Sequence, residues 1–252
     1  MQNPVWGGSM RKRALLAVIV ALLLIGAYGA YVVSYPKHPE VKGCVNPFAV
    51  TKPVSRIQEN WSGIRMFFKL ATSKDFWKLA KPWDVDYSHV KVVKHTIEYN
   101  GEKITMLAMG IPLKDKKHVI ALYEFSKPVQ GVKVRGYLIE INNPQKTQQS
   151  TPTIKTVALT TNGKYTATSS CTHECTSNSD CGLFSSCSEY CCNMNWECAT
   201  KCCIRAGYCG LLCKLSTYLC IACVVAECAW CVSADSSCCL ERGTTCLGST
   251  PP

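Results

Sequence analysis

From Cys187 to Trp230 the chain reads CSEYCCNMNWE, CATKCCIRAGY, CGLLCKLSTYL, CIACVVAECAW, four consecutive blocks of eleven residues. Cys187, Cys198, Cys209, Cys220 and Cys231 share that period. Cys191, Cys202 and Cys213 follow four residues behind, and Cys192 and Cys203 come directly after. Eleven residues make about three turns of α-helix, so the repeat keeps each row on one helix face with little drift. The spacing predicts a helical module with a stripe of sulfur. Cys171, Cys175, Cys181, Cys223, Cys228, Cys238, Cys239 and Cys246 complete the set, so eighteen of the nineteen cysteines fall between Cys171 and Cys246.

Thiols at this density serve disulfides in an oxidising space and metal in a reducing one. The N-terminus addresses the choice. Arg11-Lys12-Arg13 precedes an unbroken apolar run from Ala14 to Val33. A basic flank before an apolar core begins a secretory signal or a membrane anchor, and about 20 residues suffice to span a bilayer. Ala27 and Gly29 approximate a signal-peptidase site, and Met10 is the expected start of a prokaryotic gene. The expected location is therefore extracellular, with membrane anchoring before processing, and all eighteen module cysteines are disulfide candidates. No metal ligand and no cofactor is assigned. Cys220-x-x-Cys223 and Cys228-x-x-Cys231 have ligand spacing, but the gap between them is too short for a zinc ribbon. His173 is weighed as a ligand and set aside. A side chain stripe on one straight helix cannot pair with itself, so the sulfurs must face a second cysteine-bearing segment. Gly207 and Gly210 could break the run into hairpins.

The net charge of +11 is uneven. Residues 171–252 carry four cations against seven acids, a balance of −3, which leaves +14 elsewhere. Export argues against nucleic acid as the partner of that basic part. Residues 34–56 hold Pro36, Pro39, Pro47 and Pro53 and read as a linker, with Cys44 alone in it.

Residues 57–160 read as a small α+β domain. Ile57, Trp61, Ile64, Phe67 and Phe68 recur at helical spacing, and Ser73 caps a second short helix ending before Pro82. Strands follow around an Asn100-Gly101 hairpin, then around Lys127-Pro128, with Gly136 as a bulge and Thr153–Thr160 as a last strand. His89, His95 and His118 read as ordinary strand or loop residues, and no hydrolase, zinc-protease or phosphate-loop motif is present, so no enzyme is expected. Residues 161–170, TNGKYTATSS, read as a flexible linker open to proteases. The expected architecture is α+β: a signal peptide or anchor helix in residues 1–33, the linker, the sheet domain, the second linker, and an all-α disulfide-rich module in residues 171–252.

An exported precursor, a β-rich middle containing YEFSKPVQGVKVRGYLIEIN (residues 123–142) and an apolar cysteine-rich C-terminal third together resemble the halocin C8-like bacteriocin precursors. That resemblance implies a released antimicrobial peptide, with residues 57–160 serving as a pro- or immunity-like domain. The partners expected are signal peptidase, a processing protease and the membrane or envelope of a target cell, which the apolar segment Leu211–Val232 would meet. Two alternatives come from other classes: a surface or filament protein cross-linked by cysteines, and a thiolate metal-binding protein.

Overall fold

A computed structural model describes residues 44–142, 153–168, 171–182 and 185–248. The chain divides into two compact units between His38 and Pro39, and every described residue lies in the second. The expected signal or anchor helix at Ala14–Val33 lies outside the described residues. Among them, no helix is long and apolar enough to cross a membrane.

Seven antiparallel strands form a meander in chain order. They are β1 (Lys52–Glu59), β2 (Lys91–Tyr99), β3 (Glu102–Pro112), β4 (His118–Val129), β5 (Val132–Asn142), β6 (Thr153–Thr161) and β7 (Lys164–Ala167). Each tight turn uses two consecutive residues with positive φ: Asn100-Gly101, Gln130-Gly131 and Asn162-Gly163. These are conformations that Asn and Gly tolerate, and they match the twist of a hairpin. Pro128 lies inside β4 rather than in a turn, and the β5–β6 register shifts after Leu138, not at Gly136. A Cβ at Gly136 would instead meet Thr160 and Leu79, so glycine is required there for packing.

Helices α1 (Gly63–Ala71) and α2 (Lys74–Leu79) cover one face of the sheet. Ser62 and Ser73 cap them, each side chain accepting from a backbone N–H three residues on. Met66, Leu70, Phe76 and Leu79 pack there against Val92, Met109, Ile111, Ile120 and Leu122. The opposite face carries Ile97, Met106, Ala108, Val119, Ala121, Tyr123 and Phe125. Strands β3 and β4 are therefore apolar on both sides, as buried central strands are. Residues read as a linker join this core: Val45 and Phe48 are buried, and Phe48 stacks edge-on against Tyr123 at 5.0 Å.

The C-terminal third corrects the expected fold class. It is not all-α, and the described chain as a whole is dominated by strand. β8 (Ser185–Met194) pairs with β9 (Cys239–Gly248), and between them lie α3 (Trp196–Arg205), α4 (Gly210–Leu215) and α5 (Thr217–Glu227). Cys187 and Cys191 thus stand on a strand. The reason is that a four-residue spacing returns to the same face in a strand as well as in a helix. Tyr190 lies opposite Gly243, where any Cβ would collide with its ring. The helical run ends at Gly207 (φ 88°) and Cys209 (φ 62°), and Gly210 opens α4. Lys164–Ala167, inside the stretch read as a linker, is the edge strand β7.

Candidate functional site

The cysteines form a nested ladder. Its rungs are Cys191–Cys239, Cys198–Cys238, Cys202–Cys231, Cys203–Cys228, Cys209–Cys223 and Cys213–Cys220. The rising limb runs through β8, α3 and α4. The chain reverses at Ser216, and the falling limb runs through α5, the turn Ala229–Val232 and into β9. The stripe of the repeat therefore does face a second cysteine-bearing segment. Asn195 caps α3 by accepting from the Cys198 N–H at 3.0 Å, which fixes the helix at the start of its sulfur row. The four sulfurs of the two C-x-x-C spacings are divided among four different rungs.

Below the ladder, Cys171 bonds Cys192 and Cys181 bonds Cys246. Cys187 stands within bonding distance of both Cys44 and Cys175, at Cα separations of 4.7 and 5.7 Å. A sulfur makes one disulfide. Either pairing leaves the third cysteine a thiol, as nineteen cysteines require. Among the described residues, sulfurs that could share a metal if reduced occur in three sets: Cys44, Cys175 and Cys187; Cys175, Cys181 and Cys246; and Cys171 and Cys192 with Glu241.

Helix α5 is what this scaffold presents. Its sequence, TYLCIACVVAE, is apolar almost all round, which suits a helix buried on all sides. Cys220, Cys223 and Val224 face the ladder interior, with Cys203, Cys213 and Cys228. Ile221, Ala222 and Val225 face the sheet. Gly110 admits the helix: a Cβ there would stand 1.7 Å from the Ala222 carbonyl oxygen. Burying Ile221 and Val225 stabilises the contact by about 1.5–3 kcal/mol for each side chain.

Polar groups of the sheet pin the helix end. The Tyr123 hydroxyl donates to the Val225 carbonyl at 2.9 Å, and His95 Nε2 lies 2.8 Å from the Ala226 carbonyl oxygen. That distance assigns the His95 proton to Nε2. Burial holds the His95 pKa below its usual value, against the raising effect of the Ala226 carbonyl, and nearby Arg56 lowers it further. Arg56 on β1 pairs with the buried carboxylate of Glu227, the last residue of α5, and its guanidinium lies 3.2 Å over the Tyr208 ring. A second contact joins β5 to β8. Arg135, fully buried, donates to the Glu189 carbonyl at 3.3 Å, to the Ser188 hydroxyl and to Thr161 Oγ1 at 3.4 Å. Burial raises the Glu189 pKa, offset by Arg242 and by a hydrogen bond from Asn46. In the first contact a cation of the basic part meets an acid of the module, and in the second a cation of the basic part meets a backbone carbonyl and a hydroxyl of the module.

Sequence reasoning treated His95 as an ordinary strand histidine and did not single out Arg56, Tyr123, Arg135 or Gly110. The signal available was the unbroken apolar character of β3 and β4, which calls for a layer on each face. His89 and His118 are each partnered by an aspartate three residues earlier, at 2.7 Å from Asp86 and 2.6 Å from Asp115. His173 forms an isolated bridge with Thr244. The larger part of Leu211–Val232 is buried, whereas Leu211 and Leu215 of α4 are exposed. No protein-family model, curated protein or solved structure matches the chain.

Proposed function

We propose that the chain is an exported, non-catalytic precursor in which the sheet masks the apolar helix of a disulfide-stapled antimicrobial module. The observation that carries this reading is the burial of Ile221, Ala222 and Val225 against the sheet, under Gly110, His95 and Tyr123. An apolar helix held rigid by staples is a membrane-active surface when bare and an inert one when covered. The Arg56–Glu227 pair and the Arg135 contacts make the cover specific.

Release then needs two events. One is a peptide cut between β7 and Cys171. The other is removal of any bond from Cys44, because Cys44–Cys187 would tie the module to the N-terminal side of the cut. Cys175 can do this by exchange: its thiolate attacks Cys187 Sγ, the Cys175–Cys187 bond forms, and Cys44 leaves as a thiolate that takes up a proton. No oxidant is consumed. The cross-linked filament reading fares worse, since one remaining thiol per chain joins two chains and no more.

The test is growth inhibition and dye leakage with the purified oxidised chain, before and after cleavage ahead of Cys171 and separation of the two fragments. The intact chain should be inactive, the C-terminal fragment active, and the sheet fragment should restore inactivity when added back. An inert C-terminal fragment, with intact chains linked by disulfides at the cell surface, would favour the structural reading.

A further inference from the structure

The face of α1 that repeats most strongly in the sequence is not in the core. Ile64, Phe67 and Phe68 are 73%, 40% and 63% exposed, while Met66 and Leu70 alone of that helix are buried. The patch continues. Trp77 of α2, 43% exposed, donates its indole N–H to the Ala71 carbonyl at 2.7 Å and stacks edge-on with Trp83, 54% exposed, at 5.5 Å. Phe67 and Phe68 stand 5.9 Å apart in the same edge-on manner. Large contiguous apolar surface of this kind marks a docking face.

Its charge names the occupant. From Trp61 to Asp84, the span of the face, the chain carries five cations, Arg65, Lys69, Lys74, Lys78 and Lys81, against two carboxylates, Asp75 and the exposed Asp84. Asp75 is buried and accepts from the Gly163 N–H at 2.8 Å, so it does not face the patch. Lys69 pairs with Glu124. Arg65 lies 4.1 Å over the Trp61 ring and Lys81 5.6 Å over the Trp83 ring, which sets cations beside the aromatics. Exposed Ile and Phe, indoles able to span an apolar and a polar layer, and lysines that reach past them match one environment. That environment is the boundary between anionic headgroups and acyl chains. We propose that α1, α2 and the Pro82–Asp84 turn dock on an anionic lipid surface. The inference is independent of what the module does.

Residues 39–252 are used for the test, because that compact unit contains every cysteine and all the hydrophobic clusters found among the described residues. It should sediment with vesicles containing phosphatidylglycerol and much less with pure phosphatidylcholine. Phe68→Ser with Trp77→Ser, both at exposed positions, should weaken binding at least about tenfold with circular dichroism unchanged. Lys74→Gln, Lys78→Gln and Lys81→Gln together should weaken it about 100-fold at low salt, at about 1 kcal/mol per cation. The proposal fails if anionic vesicles are not bound, or if the variants bind as the parent does. It fails equally if hydrogen exchange, without lipid, protects α1 more in the full-length chain than in residues 39–252, or more as protein concentration rises, since residues 14–33 or a second copy then cover the face.

Discussion

From Lys91 to Val129 three strands are held by ladders of backbone hydrogen bonds and by Ile, Val, Met, Tyr and Phe side chains packed on both faces. No cysteine lies between Cys44 and Cys171. From Cys187 to Cys246 the chain makes short helices and two strands whose inward side chains are largely the sulfurs themselves. A thin hairpin cannot enclose enough apolar volume to hold its own shape, so covalent rungs take the place of core. The two regions meet along α5, which is anchored by sulfur on one side and by packing on the other. One helix is thus exposed to two kinds of failure, and these can be induced separately.

Reduction should have the largest effect. A single rung contributes about 2–4 kcal/mol in the loop-entropy account. Nested rungs share closure entropy and add less than singly, yet six together are comparable to the roughly 5–15 kcal/mol by which a domain is stable. After reduction and alkylation, amides of α3, α4 and α5 should exchange freely while β2 to β5 stay protected. Retained protection in α5 would mean that the sheet alone holds it.

Gly110→Ala attacks the other side. A methyl group 1.7 Å from the Ala222 carbonyl oxygen cannot be accommodated without moving one backbone or the other. Denaturant unfolding should show a loss of about 3 kcal/mol or more. The rungs lie on the opposite side of the helix, so mass spectrometry should find the same ladder. A changed ladder would show that sheet packing guides the pairing.

Acid should have the smallest effect. His95 is held neutral in the fold by burial, and its pKa is lowered. In the unfolded chain it takes a proton below about pH 6.5. The unfolded state therefore binds more protons there, and the contribution of His95 to stability falls as pH falls through that value, by at most about 1.4 kcal/mol per pH unit. Glu189, raised by burial, acts with the opposite sign. The comparison is thus the parent against His95→Gln, whose amide can replace the Nε2 donor. Parent stability should fall relative to the variant between about pH 7 and pH 5. Parallel pH profiles would remove His95 from the account.

Much of the sheet could be read from the residues. Alternation gave β2, Asn100-Gly101 gave its turn, and Ser73 gave the start of α2. β1 escaped because Pro47 and Pro53 read as linker, although an edge strand tolerates proline. β8 escaped because its cysteine spacing fits strand and helix alike. The period of Ile64, Phe67 and Phe68 gave a helix, although Ile57 lies on β1, and it did not say which way the stripe faces, since periodicity identifies a face and not what covers it. The sulfur rows were legible as rows. Their partners were not, because pairing depends on where the chain reverses, and Ser216 between two short helices gives little sign of that.

The six rungs have one property that concerns how the molecule is made rather than how it is held. Their sequence separations are 7, 14, 25, 29, 40 and 48, each loop enclosing the one before. Closing a loop costs entropy that grows with its length. Once Cys213 and Cys220 join, however, Cys209 and Cys223 are already neighbours, and the same holds outward at every step. Oxidation can run like a zip from the bend at Ser216, with no segment passed through a closed ring. Cys171–Cys192 and Cys181–Cys246 interleave along the sequence instead. They have no such ordered route, and they are the bonds expected to close last.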